Sequence, residues 1–201
     1  MTADPIDQLW APSGPRWLIA HSHGEFEVEG AIEAGTPLLP GSFNPLHHGH
    51  EQLARVAGNL LEREVSYELS VVNVDKPPLG ADEVRRRLTQ FEGTTTVVLT
   101  RTPRFLEKAR LFHHTKFVIG WDTAVRLVDP RYYEDSHERM TMALEEMRAA
   151  SVHFVVAGRT HEGQFRTIQA AHLPAGFASM FESIPEDLFR ADVSSTELRD
   201  D

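Results

Sequence analysis

The sequence predicts an α/β protein built on a parallel sheet of about five strands with helices on both faces. Short apolar runs alternate with stretches whose apolar residues fall at helical spacing. Gly and Pro punctuate the boundaries between them. The stretches between strands hold about ten residues or more, the length that parallel crossovers need.

The elements follow in order from residue 36. Residues 36–40, Thr-Pro-Leu-Leu-Pro, read as a short buried strand, and 41–49 as a turn-rich loop. Over 50–61 the residues Leu53, Val56, Ala57, Leu60 and Leu61 stand at offsets of 3, 4, 7 and 8, one face of a helix. A second strand is expected over 67–74 and a charged helix over 82–91. A β-branched strand over 95–100 is stopped by Pro103, and a helix follows over 104–112. A fourth strand, 116–119, ends at Gly120; a long helix, 134–150, and a fifth strand, 152–157, complete the pattern. Residues 1–35 are weakly patterned and read as an N-terminal appendage, with Trp10, Trp17, Leu18 and Ile19 available to pack on the main body. Ligands of open parallel sheets sit outside the carboxyl ends of the strands. That singles out the loops after Pro40, Asn73 and Gly120.

Composition narrows the function. The 201 residues are 41% hydrophobic and 25% charged, ordinary for a globular chain that buries its own core. The absence of cysteine excludes disulfides, thiolate metal sites and thiol nucleophiles. A net charge of −10 argues against a nucleic-acid partner, because such affinity comes from neutralising phosphates. A small phosphate ligand needs only a local cluster of donors. The first ten residues lack the apolar core of a signal peptide. No apolar run approaches the roughly 18 residues that span a bilayer, so neither a membrane nor export is expected and the location reads as cytoplasmic.

The strongest local signal is Gly41-Ser42-Phe43-Asn44-Pro45-Leu46-His47-His48-Gly49-His50, between a strand and a helix start. Gly41 permits a sharp turn. At Gly49 and His50 a helix opens whose first amides lack partners and whose dipole favours an anion. His47 and His50, three positions apart, can turn donors the same way. The same residues are also compatible with a simple turn. A metal site is not expected, since no HExxH motif is present and no carboxylate or further histidine stands at companion spacing.

This string resembles the GSFxPxHxGH signature of the nucleotidylyltransferase superfamily, the group containing nicotinamide mononucleotide adenylyltransferases and cytidylyltransferases. The likeness covers roughly residues 36–199, with Asn44 where many members carry Asp. It implies a Rossmann-like sheet and transfer of a nucleotidyl group from a nucleoside triphosphate. His47 and His50 then match the family histidines that contact the triphosphate, with Gly41, Ser42, Phe43, Asn44 and Gly49 shaping the same loop.

Three further segments extend the likeness. Ser194-Ser195-Thr196-Glu197-Leu198-Arg199 resembles the family's SSTxxR signature. On its own terms it is a capping box, and its hydroxyls, helix-start amides and Arg199 are phosphate-binding tools. Only residues 198–201 follow, about one helical turn. Gly120, Trp121 and Asp122 resemble the GxD segment that lies beside the acceptor or ribose. Asp122 is equally suited to a helix N-cap, and Trp121 to the core or to stacking on a ring. Lys76, in the loop after the second strand, offers a point charge to phosphate or to solvent. Arg159 is placed to add to the phosphate site, whereas the run Arg85-Arg86-Arg87 reads as mainly surface.

Walker-type, dinucleotide-fingerprint and GxSxG motifs are absent. The resemblance therefore implies ATP as co-substrate, Mg2+ held mainly by the triphosphate, and a phosphorylated small-molecule acceptor. Nicotinamide or nicotinate mononucleotide leads. Cytidylyl transfer to another acceptor, or nucleotide binding with weak hydrolysis and no transfer, stays open.

Overall fold

A computed structural model describes residues 4–72, 77–161, 164–170 and 173–190. Strand β3 (Pro37–Pro40) lies near the middle of the sheet, between β4 (Ser66–Ser70) and β6 (Lys116–Gly120). From β3 the chain moves outward through β4 to β5 (Val97–Thr100), then returns to β6 on the other side and continues to β7 (His153–Ala157) and β10 (Phe181–Ile184). These strands are parallel throughout. The direction of winding reverses between β3 and β6, whose carboxyl ends lie side by side through the pairing Leu38↔Phe117. Such a reversal opens the crevice in which ligands of doubly wound sheets sit. Two of the three expected loops, after β3 and after β6, flank it.

Both faces of the sheet are covered, and the strand sequences show why. Leu39, Leu69, Val97, Val118 and Val155 point to one side; there they meet Leu53 and Ala57 of α2 (His48–Leu61) and Val84 and Leu88 of α3 (Ala81–Leu88). Leu38, Val98, Phe117, Ile119, Phe154 and Val156 point to the other. That side is covered by α4 (Phe105–Leu111), α5 (Trp121–Leu127) and α6 (His137–Ala149). Residues buried on both sides of a strand leave no polar alternation, so these strands read as continuous apolar runs. The long helix starts later than its periodicity suggests, because the Ser136 side chain accepts from the Arg139 amide and caps it there.

The sheet is wider than the expected five strands: among the described residues it has eight, in the order β10-β7-β6-β3-β4-β5-β1-β2. Strand β10 is four residues long, too short to carry a periodic signal, and its place is decided by pairing with β7. The other two lie within residues 1–35. Strand β1 (Trp17–Ala20) pairs antiparallel with β5, and β2 (Phe26–Val28) pairs antiparallel with β1. Leu18 is fully buried there. The short helix α1 (Pro5–Gln8) is tied to α3 by Arg85, whose guanidinium meets Asp4 and Asp7 at 2.7 Å each. A small ribbon, β8 (Arg159–His161) with β9 (Gln164–Arg166), follows β7. Among the described residues no helix is long and apolar enough to cross a membrane.

One polar group lies in the sheet itself. Glu68 of β4 is fully buried; its carboxylate accepts from Lys108 Nζ and from Thr100 Oγ1, both at 2.5 Å, and from Ser70 Oγ at 3.1 Å. Lys108 descends from α4 and also reaches Ser70 Oγ at 2.7 Å. Its burial is thus matched by a charge partner and by hydrogen bonds, the condition for a buried ion pair to persist.

Candidate active site

The loop leaving β3 is built around a phenylalanine. Phe43 has a left-handed backbone, φ 45°, and a fully buried ring. That conformation costs about 1–2 kcal/mol in an L-residue, against roughly 1.5–3 kcal/mol gained by burying such a side chain. The ring meets His50, Tyr67 and Phe91 edge to face at 5.1, 5.3 and 5.4 Å between centroids. It also explains Gly41: a Cβ there would lie 2.5 Å from the Phe43 ring. The Gly41 amide donates to the Glu68 carbonyl at 2.9 Å and anchors the loop to β4.

Helix α3 and the 3-10 turn that follows it (Thr89–Phe91) hold the loop from one side. Arg87 Nη1 donates to the Ser42 carbonyl at 2.7 Å, and Gln90 Nε2 donates to the Phe43 carbonyl at 3.0 Å. Gln90 Oε1 accepts the Leu46 amide at 2.7 Å, and Arg86 Nη2 donates to Asn44 Oδ1 at 2.6 Å. Of the run Arg85-Arg86-Arg87, which fans outward so that at most one or two members face the site, Arg87 is the buried one, at 7% exposed. Position 87 falls at helical spacing from Val84 and beside Leu88, on the face turned to the body of the protein. A planar trans peptide sends its C=O and its N–H in opposite directions. With the carbonyls of Ser42 and Phe43 turned toward α3, the amides of Phe43 and Asn44 point away from it. Among the described residues nothing accepts from the amides of Ser42, Phe43 or Asn44. Successive amides freed around a left-handed residue form a concavity for an anion.

The two histidines stand at the mouth of α2. His47 is the N-cap and His50 lies in the first turn, their rings stacked with centroids 3.8 Å apart and 29° between planes. Gly49 lies close under them: a Cβ there would be 3.1 Å from the His47 ring. The His47 amide donates to His50 Nδ1 at 3.3 Å. That assigns the proton of neutral His50 to Nε2 and leaves an N–H donor on the far side of the ring. Burial, and secondarily the neighbouring His47, pushes the His50 pKa down to about 4. Burial also lowers that of His47, with Glu51 opposing. Burial thus favours the neutral form of both imidazoles, and an arriving anion is what would favour the charged one.

This has a consequence for stability. A ring protonated near pH 6.5 in the unfolded chain but only near 4 in the folded one favours the folded state fully above pH 6.5. The advantage is lost as pH falls through that window. With allowance for the ring's partial contact with solvent, the loss is on the order of 2 kcal/mol. Thermal melts of the unliganded protein between pH 7 and about 4.5 are expected to show it. His50→Asn, which keeps an acceptor for the His47 amide, is expected to flatten the slope.

The β6 end supplies the second wall. Gly120 caps α5, and a Cβ on it would meet nothing within 4 Å among the described residues, so among them its backbone faces open space. The Trp121 indole N–H donates to the Thr167 carbonyl at 3.1 Å and holds the half-buried ring in place. Asp122 is ion-paired with Arg159, which comes from the start of β8. The fold thus gathers Gly41, Ser42, Phe43, Asn44, His47, Gly49 and His50 into one loop and sets Gly120, Trp121 and Asp122 at the adjoining strand end. The Phe43 ring belongs to the core, so what that residue offers a ligand is its amide. Lys76, Ser194, Ser195, Thr196 and Arg199 lie outside the described residues. The sequence lets one or two of Arg85, Arg86 and Arg87 face the site without saying which, and it does not single out Gln90; the signal is a charged and a polar side chain on the inward face of a helix and the turn after it.

Among the described residues no three His, Asp or Glu side chains gather into a metal site. A family model described as cytidylyltransferase-like matches residues 38–201, which takes in every parallel strand from β3 onward. No curated protein matches the chain. With most of the sequence inside that match, and a doubly wound sheet carrying the glycine- and histidine-bearing loop at the winding reversal, the chain belongs to the cytidylyltransferase-like family of nucleotidyltransferases.

Proposed function

We propose that this nucleotidyltransferase transfers an adenylyl group from ATP to a phosphorylated acceptor of the nicotinamide or nicotinate mononucleotide type and releases pyrophosphate, a step of NAD biosynthesis in the cytoplasm. The observation that carries the reading is the loop after β3. Its three amides without an acceptor among the described residues and its two stacked imidazoles stand at the mouth of α2, beside the winding reversal. That is a donor surface without a strong base, which suits phosphate chemistry between groups already ionised.

The reaction is in-line displacement at the α-phosphorus. An acceptor phosphate oxygen forms the new P–O bond, the bond from the α-phosphorus to the α–β bridging oxygen breaks, and pyrophosphate carries away the electron pair. Alignment and neutralisation of charge do most of the work in such transfers. Magnesium, where bound, would be held mainly by triphosphate oxygens and water and would neutralise part of their charge. His47 and His50 donate to the triphosphate, and Lys76, Ser194, Ser195, Thr196 and Arg199 are assigned to it from their motifs. Gly120, Trp121 and Asp122 are assigned to the acceptor side, where open space at Gly120 lets a ligand approach the backbone.

A pyrophosphate-release screen of ATP and CTP against phosphorylated acceptors tests the reading. The expected result is release with ATP and a pyridine mononucleotide, with the dinucleotide as product. The matched family's description favours including CTP; a cytidine-linked product would replace the adenylyl assignment. ADP and inorganic phosphate alone would replace transfer with hydrolysis.

A further inference from the structure

The geometry points to Arg87 and Gln90 as positioning residues that set the anion-binding conformation of the 41–46 loop without touching the ligand. The inference rests on the proposed triphosphate reading and deepens it.

Arg87 spans two partners. Its Nε donates to Glu83 Oε1 at 2.7 Å, one turn back on α3, and its Nη1 donates to the Ser42 carbonyl at 2.7 Å. Glu83 is held ionised by this, its pKa pushed down to about 2 by the hydrogen bonds from Arg86 and Arg87. Gln90 also reaches the loop twice: it donates to the Phe43 carbonyl and accepts the Leu46 amide, bracketing the turn at both ends, while its Nε2 also donates to the Arg87 carbonyl at 3.0 Å. Two consecutive loop carbonyls are therefore pinned toward α3. Because each peptide is planar, pinning the carbonyls aims the amides of Phe43 and Asn44 the other way. Released carbonyls could rotate toward the ligand side, where their partial negative charge would repel phosphate. The Phe43 ring beneath fixes where the loop sits; Arg87 and Gln90 fix which of its dipoles face outward.

Lysine at 87 has a compact ammonium that reaches Glu83 or the Ser42 carbonyl but does not reproduce the planar fork that serves both. Glutamate at 90 keeps an acceptor for the Leu46 amide but cannot donate to the Phe43 carbonyl.

The test uses the full chain and inorganic tripolyphosphate as probe, with binding measured by calorimetry. The ¹H–¹⁵N shifts of Ser42, Phe43 and Asn44 are followed in the same titration. Gln90→Glu and Arg87→Met are expected to weaken binding about 10-fold or more, with Arg87→Lys intermediate. The amide shift changes seen on binding in the natural protein should shrink in the variants, while the His47 and His50 side-chain resonances still respond. Folding is monitored by thermal melting, and Gln90→Glu carries the test if Arg87→Met fails to fold. Natural affinity and natural amide shifts in a folded Gln90→Glu variant would overturn the inference. If the natural protein itself does not bind tripolyphosphate, the proposed function falls and the inference with it.

Discussion

Replacing His50 with alanine is expected to lower the rate of nucleotidyl transfer by about 10²-fold or more while leaving the fold in place. The ring does three things at once. Its Nδ1 accepts the His47 amide, its face stacks on His47, and its edge meets Phe43. That leaves Nε2–H as a donor whose direction is set before any ligand arrives. Alanine removes the donor and leaves the His47 amide without its acceptor, a structural cost of about 1 kcal/mol. His50→Asn separates the two effects, because its side-chain oxygen can still accept the His47 amide. If the Nε2 donor is what matters, the asparagine variant melts near the natural protein yet stays slow in pyrophosphate release. A folded alanine variant that turns over at the natural rate would remove His50 from the chemistry.

The second large effect is on stability. Lys108→Met leaves the Glu68 carboxylate fully buried with no cation, and breaking such a pair on one side costs about 3–5 kcal/mol. For a chain of this size that corresponds to a melting temperature lower by roughly 10 °C. Adding Glu68→Gln to the same chain removes the stranded charge and keeps an amide that bonds to Thr100 and Ser70. The double variant is expected to recover most of the loss, as measured by urea unfolding. A single Lys108→Met variant as stable as the natural protein would show that the pair is solvated in solution. The site should register the change too, since the Glu68 carbonyl holds the Gly41 amide at the root of the loop after β3.

The parallel strands β3 to β7 and their intervening helices were readable because burial on both faces writes itself as uninterrupted apolar runs, and coverage by helices as periodic ones. The hairpin β1–β2 and strand β10 were not, for a plain reason. Each strand has three or four residues, and a run that short has no period. Their existence is decided by an edge that accepts them, β5 for Trp17–Ala20 and β7 for Phe181–Ile184. The loop after β3 divides the same way. Its glycines, histidines and position before a helix are local properties. Its clamp by Arg87 and Gln90 spans more than forty positions of sequence. From the sequence, Arg87 looks like its neighbours Arg85 and Arg86. Only its place on the inward face of α3 distinguishes it.

The sequence by itself thus determined the fold class, the turn-rich loop between the first parallel strand and a helix start, and the pair of imidazoles in it, since each follows from local spacing and backbone freedom. The tertiary structure alone decided that the loops after β3 and β6 adjoin at the winding reversal. It alone decided that burial favours the neutral form of both imidazoles, and that a distant helix holds the carbonyls of Ser42 and Phe43. Those are matters of pairing order and desolvation, which depend on what lies next to a residue in space and not on what lies next to it in the chain.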